Sequence, residues 1–370
     1  MSSLATRQLF IFNIASLLIC LNLVIAFPSP TFAQSKTDLA DLELPIPATP
    51  SANEPLLKKI SREKASEFLD RAAHVWQKEY SCSSCHSSYL VLMAQTAAKP
   101  PTDEFSEATL ALRKGLESRI DGWDRGGPGA GLPEGTEGVS EVVSTAATLA
   151  FCDNLQSGKL TAPAKKALKK MWTLQQPNGA WTWNLHELPP QEYDDYFGAV
   201  FAAVGIAHAP ENYSQSDEAK PGVAKLVAYF KKNPAPNLHH RLWLLWASTK
   251  LDGLLNETAQ KKIIEETLAL QRPDGGWNLP SLGDWQRLDG QENDRDAASD
   301  GYATGLAIYT LQKSCLPTNH PAITRGIAWL KNHQRESGRW YTRSVNADRE
   351  HYISNAGSAL ALMAIAISQE

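Results

Sequence analysis

Leu270-Gln271-Arg272-Pro273-Asp274-Gly275-Gly276-Trp277 is the stretch on which the fold of this chain turns. The same spacing (Gln, three residues, Gly, one residue, Trp) returns in Gln175-Gln176-Pro177-Asn178-Gly179-Ala180-Trp181 and in Gln334-Arg335-Glu336-Ser337-Gly338-Arg339-Trp340. Each copy follows an apolar pattern of helical period. The spacing predicts a helix that stops at the Gln, a tight turn needing the backbone freedom of Gly, and a Trp packed back over the helix end. A motif that recurs in this way marks a repeat architecture.

Outward from these copies, helical patterns of two kinds alternate. One kind is amphipathic and charged, over 62–77, 104–118, 163–175, 221–232, 257–271 and 321–333. The other is apolar and rich in Ala, Gly and Ser, over 86–97, 138–152, 193–207, 239–250, 297–312 and 351–366. The charged kind shows one face to water, and the small-residue kind is buried nearly all round, so the pairs predict two concentric layers. No segment alternates with period two over a convincing length, which excludes a sheet. The expected fold is all-α, an α/α toroid of about six inner and six outer helices. An open solenoid of helix pairs is the competing arrangement, and it would call for capping repeats that the ends of the pattern lack. A degenerate repeat without the Gln-Gly-Trp signature fits around Tyr229 to Trp246.

Gln-x-x-x-Gly-x-Trp after an amphipathic helix resembles the repeat of squalene–hopene cyclases and their relatives, a superfamily that also holds protein prenyltransferases. The resemblance covers residues 60–366. It implies that the repeat ties outer helices to an inner barrel, which makes the motif a marker of fold. The family's cyclases carry two toroid-like domains, and this chain has length for one. The implied activity is therefore the binding or transformation of an apolar, isoprenoid-like ligand in the central cavity, in the manner of a terpene cyclase-like isomerase or lyase.

The N-terminus reads as an export signal over residues 1–33: Arg7, an apolar run from Leu9 to Ala26, then Thr31-Phe32-Ala33 at a cleavage site before Gln34. An uncleaved anchor is the rival reading, although the run is short of a comfortable span. No later stretch is long and apolar enough to cross a bilayer, so no transmembrane helix is expected after signal removal. Residues 34–59, with Pro45, Pro47, Pro50 and Pro55, read as an extended tether, and 60–370 as the toroid domain. The expected location is periplasmic or otherwise exported. The whole chain carries 36 Lys+Arg against 40 Asp+Glu, a net charge of −4, and no basic cluster, which excludes nucleic acid as a partner.

Cys82-Ser83-Ser84-Cys85-His86 carries the strongest chemical signal. In an exported protein, C-x-x-C-H is the attachment site of a c-type haem: the thiols of Cys82 and Cys85 add to the vinyl groups, and His86 is an axial ligand of the iron. The loop falls where an outer helix turns into an inner one, after Trp76-Gln77 has begun a repeat that the cysteines then replace. Two other readings stay open, a Cys82–Cys85 disulfide and a zinc site that still needs a fourth ligand. Met93 and His74 stand nearby as further ligands. A haem-dependent oxidoreductase or electron carrier with a redox partner is the corresponding function, and a non-catalytic interaction toroid is the third.

Acids form the second constellation. Thr145, Gly198 and Thr304 fall in register on the inner helices, each four residues after an acid: Glu141, Asp194 and Asp300. Ser354 holds the corresponding place in the last pair, and Asp195 adjoins Asp194. Parallel inner helices would gather these acids at one mouth, where crowded carboxyls share protons and one can act as a general acid. Squalene–hopene cyclases protonate their alkene with Asp-x-Asp-Asp, and Glu192-Tyr193-Asp194-Asp195 is similar in spacing. The competing reading is that acids sit in the first turn of a helix to complement its dipole. Tyr193, Tyr196, Phe197, Tyr302, Tyr352, Trp243 and Trp246 also lie on inner helices, where they stabilise a cation or fill the barrel. His239-His240 opens an inner helix, with a surface position expected.

Overall fold

Polar caps and prolines set where the helices begin. Ser106, Thr161, Asp194, Asn237, Asn256 and Asp300 each accept the amide three residues on, and Pro163, Pro221 and Pro321 occupy first turns. The structure, a computed structural model, describes residues 37–80, 85–100, 102–124, 135–183, 186 and 188–368, without the side chains at 80, 85 and 86. Among them are twelve α-helices: α1 (Arg62–Tyr80), α2 (Leu90–Ala98), α3 (Glu107–Ile120), α4 (Thr136–Gln156), α5 (Ala162–Thr173), α6 (Asp195–Ala207), α7 (Lys220–Lys232), α8 (Leu238–Ser248), α9 (Glu257–Ala269), α10 (Gly301–Lys313), α11 (Pro321–His333) and α12 (Ile353–Ile367). No strand is found among the described residues, only isolated bridges at Leu56–Arg335 and Leu188–Glu192.

The two kinds of helix form two layers. Even-numbered helices are sheathed on all sides: every residue from Tyr196 to Ile206 in α6, from Gly301 to Leu311 in α10 and from Ile353 to Ala366 in α12 is buried. Odd-numbered helices bury one stripe, such as Ala164, Ala167, Leu168 and Met171 in α5. The inner helices touch in the order α2, α4, α6, α8, α10, α12, and α12 returns to α2, so the ring is closed. Small residues permit the approach: a Cβ on Gly305 would lie 2.5 Å from the amide nitrogen of Ala361. The fold is an α/α toroid with six inner and six outer helices, as the repeat implied. Inner helices α6, α10 and α12 begin two to four residues later than their apolar patterns, because Asp194 and Asp300 cap rather than continue the helix and Tyr352 precedes the first turn of α12.

Each motif does the same mechanical work. The indole N–H of Trp181 donates to the Met171 carbonyl (2.8 Å), that of Trp277 to Thr267 (2.7 Å) and that of Trp340 to Leu330 (2.8 Å), always ten residues back in its own outer helix. All three indoles are buried. The motif glutamine joins one outer helix to the next. Gln175 Nε2 donates to Gly179 and to Gly222 at the start of α7, and Gln271 Nε2 donates to Gly275 and to Ala322 at the start of α11. Gln334 closes the seam: its Nε2 donates to Gly338 (2.9 Å) and Ser61 (2.8 Å), and its Oε1 accepts from the Ser61 amide (2.8 Å). Gly338 adopts φ +99, and a Cβ there would stand 2.0 Å from the Lys64 carbonyl of α1, so the last turn must be Gly on both counts.

The Pro-rich segment before α1 lies along this seam, and Leu39 at its start is buried in the core. Leu57 N–H donates to Gln334 (2.7 Å), and Glu336 N–H donates to Pro55 (2.9 Å). The Glu54 carboxylate takes the Ser337 amide (2.9 Å) and pairs with Arg339 (3.3 Å), whose guanidinium stacks on Phe68. No helix among the described residues is long and apolar enough to cross a membrane.

Candidate functional site at the mouth of the toroid

Because each inner helix follows an outer one of opposite direction, all six inner N-termini face one mouth. Cys82 lies outside the described residues, and Cys85 and His86 are placed by backbone alone, in a π turn over Cys85–Tyr89. The next residue, Ser87, is buried, and its hydroxyl accepts from Asn355 Nδ2 of α12 (3.1 Å). In the last turns of α1, Trp76 meets Tyr352 edge-on, with ring centroids 5.4 Å apart and planes at 86°.

This Trp76–Tyr352 ridge separates two clefts. One, of about 220 Å³, runs beneath the Pro-rich segment between Pro47, Pro50, Phe68, Val75 and Asn355. The other, of about 270 Å³, lies between Leu188, Pro189 and Gln191 on one side and Asn346, Arg349 and Ile353 on the other. Both are small by the standard of ligand pockets, which run from about 300 Å³ upward. In the second, Gln191 is 2% exposed and neither atom of its side-chain amide has a hydrogen-bond partner. Its backbone carbonyl is held by the Trp183 indole (2.7 Å), and paired amides of Leu188 and Glu192 close the short loop around it. A buried polar group left unpaired costs about 1–3 kcal/mol.

The acids are separated, each with partners of its own. Glu141 of α4 accepts from the Trp123 indole (2.7 Å) and from Arg119. Asp300 accepts the Ala303 amide at Oδ1 (2.9 Å) and the Leu279 amide at Oδ2 (2.5 Å), and burial pushes its carboxyl up to about 7. The first repeat divides the same two tasks: Asp194 caps Phe197 (2.9 Å), and Asp195 accepts the Trp183 amide (2.7 Å). In the last repeat Ser354 accepts the equivalent amide, that of Thr342 (3.0 Å). Asp195, Asp300 and Ser354 thus pin the chain two residues beyond each motif Trp to the top of an inner helix. The crowded proton-sharing cluster anticipated from the register is not assembled, because amides and basic side chains claim each carboxyl first.

His239 and His240 are both fully buried rather than at the surface, since α8 is an inner helix. His240 Nδ1 lies 2.6 Å from Asn237 Oδ1 and Nε2 lies 3.1 Å from Asp194 Oδ1. Asn237 Oδ1 also caps the His240 amide (2.9 Å), which fixes the oxygen in place. Both ring nitrogens therefore face side-chain oxygens. Burial raises the Asp194 carboxyl, but the His240 bond and charge, with the Phe197 and Tyr196 amides, outweigh it and bring the net below the ordinary value. His239 is driven well below the usual imidazole range by burial, and its Nε2 faces the Trp243 indole and the Tyr302 hydroxyl. The pairing of His240 with Asp194 was missed at the level of sequence; Asn237 as an N-cap three residues before it was the available signal. No group of three potential metal ligands occurs among the described residues.

Aromatic rings meet between the inner helices. Trp246 of α8 meets Phe151 of α4, Tyr309 of α10 (centroids 4.9 Å) and His208, reaching past its neighbour α6. Phe197, Tyr302, Trp243 and Trp246 are fully buried, whereas Tyr193 and Tyr352 are half-buried at the mouth. Met93 is locked in the core of α2, and His74 is buried on α1 with its imidazole held below the ordinary range by burial.

No family model matches the chain, and no curated protein matches it in sequence. Among solved structures, the GH76A α-1,6-mannanase of Salegentibacter sp. HEL1_6 is similar with a TM-score of 0.51 at 10% identity, over 83% of this chain and 100% of that one. The type II terpene cyclase MstE from Scytonema is similar with a TM-score of 0.46 at 13% identity, over 83% of this chain and 99% of the other. For ent-copalyl diphosphate synthase from Streptomyces platensis the TM-score is 0.48 at 16% identity, over 76% of this chain, which spans 50% of that protein's length. At these identities the likeness is one of fold.

Proposed function

We propose that this protein is an exported α/α toroid carrying a covalent haem c at its mouth, with an apolar, isoprenoid-like ligand held beside it. The observation that carries the reading is the bond from Asn355 to Ser87, which sets the residue following His86 against a mouth where two clefts share Trp76 and Tyr352. One cleft wall is apolar, with Phe68, Val75, Trp76 and Pro47, and suits the face of such a group. Cys82 and Cys85 would hold the haem through thioethers and His86 would be its axial ligand. When bound, it supplies one-electron redox chemistry. The Trp76 and Tyr352 rings exclude water from one side of the cleft, and the Pro-rich segment covers another. The mouth is the face on which a redox partner would dock.

A pyridine haemochrome spectrum on protein from cells that mature c-type cytochromes tests this. The expected result is covalent haem that Cys82→Ala plus Cys85→Ala abolishes while the helical circular dichroism survives. A colourless protein with the mass of the bare chain overturns it. A second reading, proton-initiated isomerisation, is favoured by the contact of Asp194 with the buried His240 (3.1 Å), and would require Asp194→Asn to abolish turnover of a polyene substrate.

A further inference from the structure

We propose that the cleft floored by Gln191 is a binding site for a neutral, hydroxyl-rich ring of the pyranose type, separate from the apolar cleft across the Trp76–Tyr352 ridge. Gln191 presents a donor and an acceptor side by side, both buried and both without a partner. Adjacent hydroxyls of a sugar ring satisfy the two at once, because each hydroxyl both donates and accepts. The lining carries both signs of charge, with exposed Arg349 and Glu350 side by side at the lip and buried Glu192 beside Gln191, and an organic cation would still leave the amide N–H group of Gln191 unpaired. The perpendicular Trp76 and Tyr352 rings offer flat apolar surface to the C–H face of such a ring. Asn346 adds a second neutral amide to the wall, and the volume of about 270 Å³ suits one or two rings rather than a long chain. Three features pre-organise the floor: the indole of Trp183 on the Gln191 carbonyl, and the paired backbone bonds between Leu188 and Glu192. The site does not depend on the cysteine loop.

Isothermal titration of the full chain against methyl glycopyranosides and neutral disaccharides, with choline chloride as the cationic probe, decides the matter. The expected result is saturable binding of at least one saccharide, weakened at least tenfold by Gln191→Leu with an unchanged melting temperature. Should Gln191→Leu unfold, Asn346→Ala at the half-buried wall provides the same comparison, with an expected loss of threefold or more. Absence of saturable saccharide binding across the panel overturns the proposal. So does saccharide affinity that neither variant alters, or choline binding tighter than that of any sugar.

Discussion

Replacing Gln334 by Leu tests the closed ring directly. Its side chain joins residues 273 positions apart, and the substitution removes the bonds to the Ser61 carbonyl, the Ser61 amide and the Gly338 carbonyl together. Each intramolecular hydrogen bond contributes about 0.5–1.5 kcal/mol net, and a buried partner left unpaired costs more, so the loss should be about 2–4 kcal/mol. With an unfolding entropy of about 2.1 cal/mol/K per residue, a domain of this size should lose about 3–6 °C in melting temperature. Gln271→Leu removes the bonds to Gly275 and Ala322 and the one accepted from Arg325 in an equivalent place, and should cost somewhat less because the Arg325 bond is exposed. Scanning calorimetry gives the size of the effect, and amide hydrogen exchange gives its place. In Gln334→Leu, protection should fall around residues 57–66 and 334–340, on both sides of the seam. A Gln334→Leu protein as stable as the parent, alongside a destabilised Gln271→Leu, would refute the argument that the seam is held as the other repeats are.

Trp181→Ala, Trp277→Ala and Trp340→Ala should each cost about 3–5 kcal/mol, because each indole is fully buried and bonded to its own outer helix; urea unfolding measures this, and three unchanged midpoints would remove the structural role of the motif. Two acids should titrate with opposite sign. The folded Asp194 carboxyl lies below its unfolded value, so its contribution is present above that value and lost as pH falls through the folded one. Asp300 is raised to about 7, so its contribution is greatest in acid and declines as pH rises from the unfolded value through about 7. Denaturation midpoints from pH 3 to 8 should therefore lose their acid limb in Asp194→Asn and their descending neutral limb in Asp300→Asn, and identical profiles would contradict both assignments.

The fold was legible because the contacts that write it are short in sequence. A motif Trp reaches ten residues back, its Gln four residues forward to the turn, and the alternation of charged and small-residue helices reports directly which helix is sheathed. The boundaries were less legible where Asp194 and Asp300 interrupt an apolar run to serve as caps. Register alone predicted that the acids gather at one mouth. It could not predict that Asp194 would find His240, 46 positions away, or that Asp300 would be enclosed by the amides of Leu279 and Ala303.

By itself, then, the sequence determined the number of helices, their two layers and the mechanical role of Gln and Trp, since periodicity and turn chemistry act within a dozen residues. The tertiary structure alone decided where open space remains. Among the described residues Trp246 crosses from α8 to meet Phe151 of α4 and Tyr309 of α10. At the mouth the end of α1 meets the residue before α12 through the edge-on rings of Trp76 and Tyr352, with a cleft on either side. Gln191 is unpaired for the same kind of reason: burial is imposed by elements that the chain brings together from far apart, and no local pattern records which polar atoms that assembly leaves without partners.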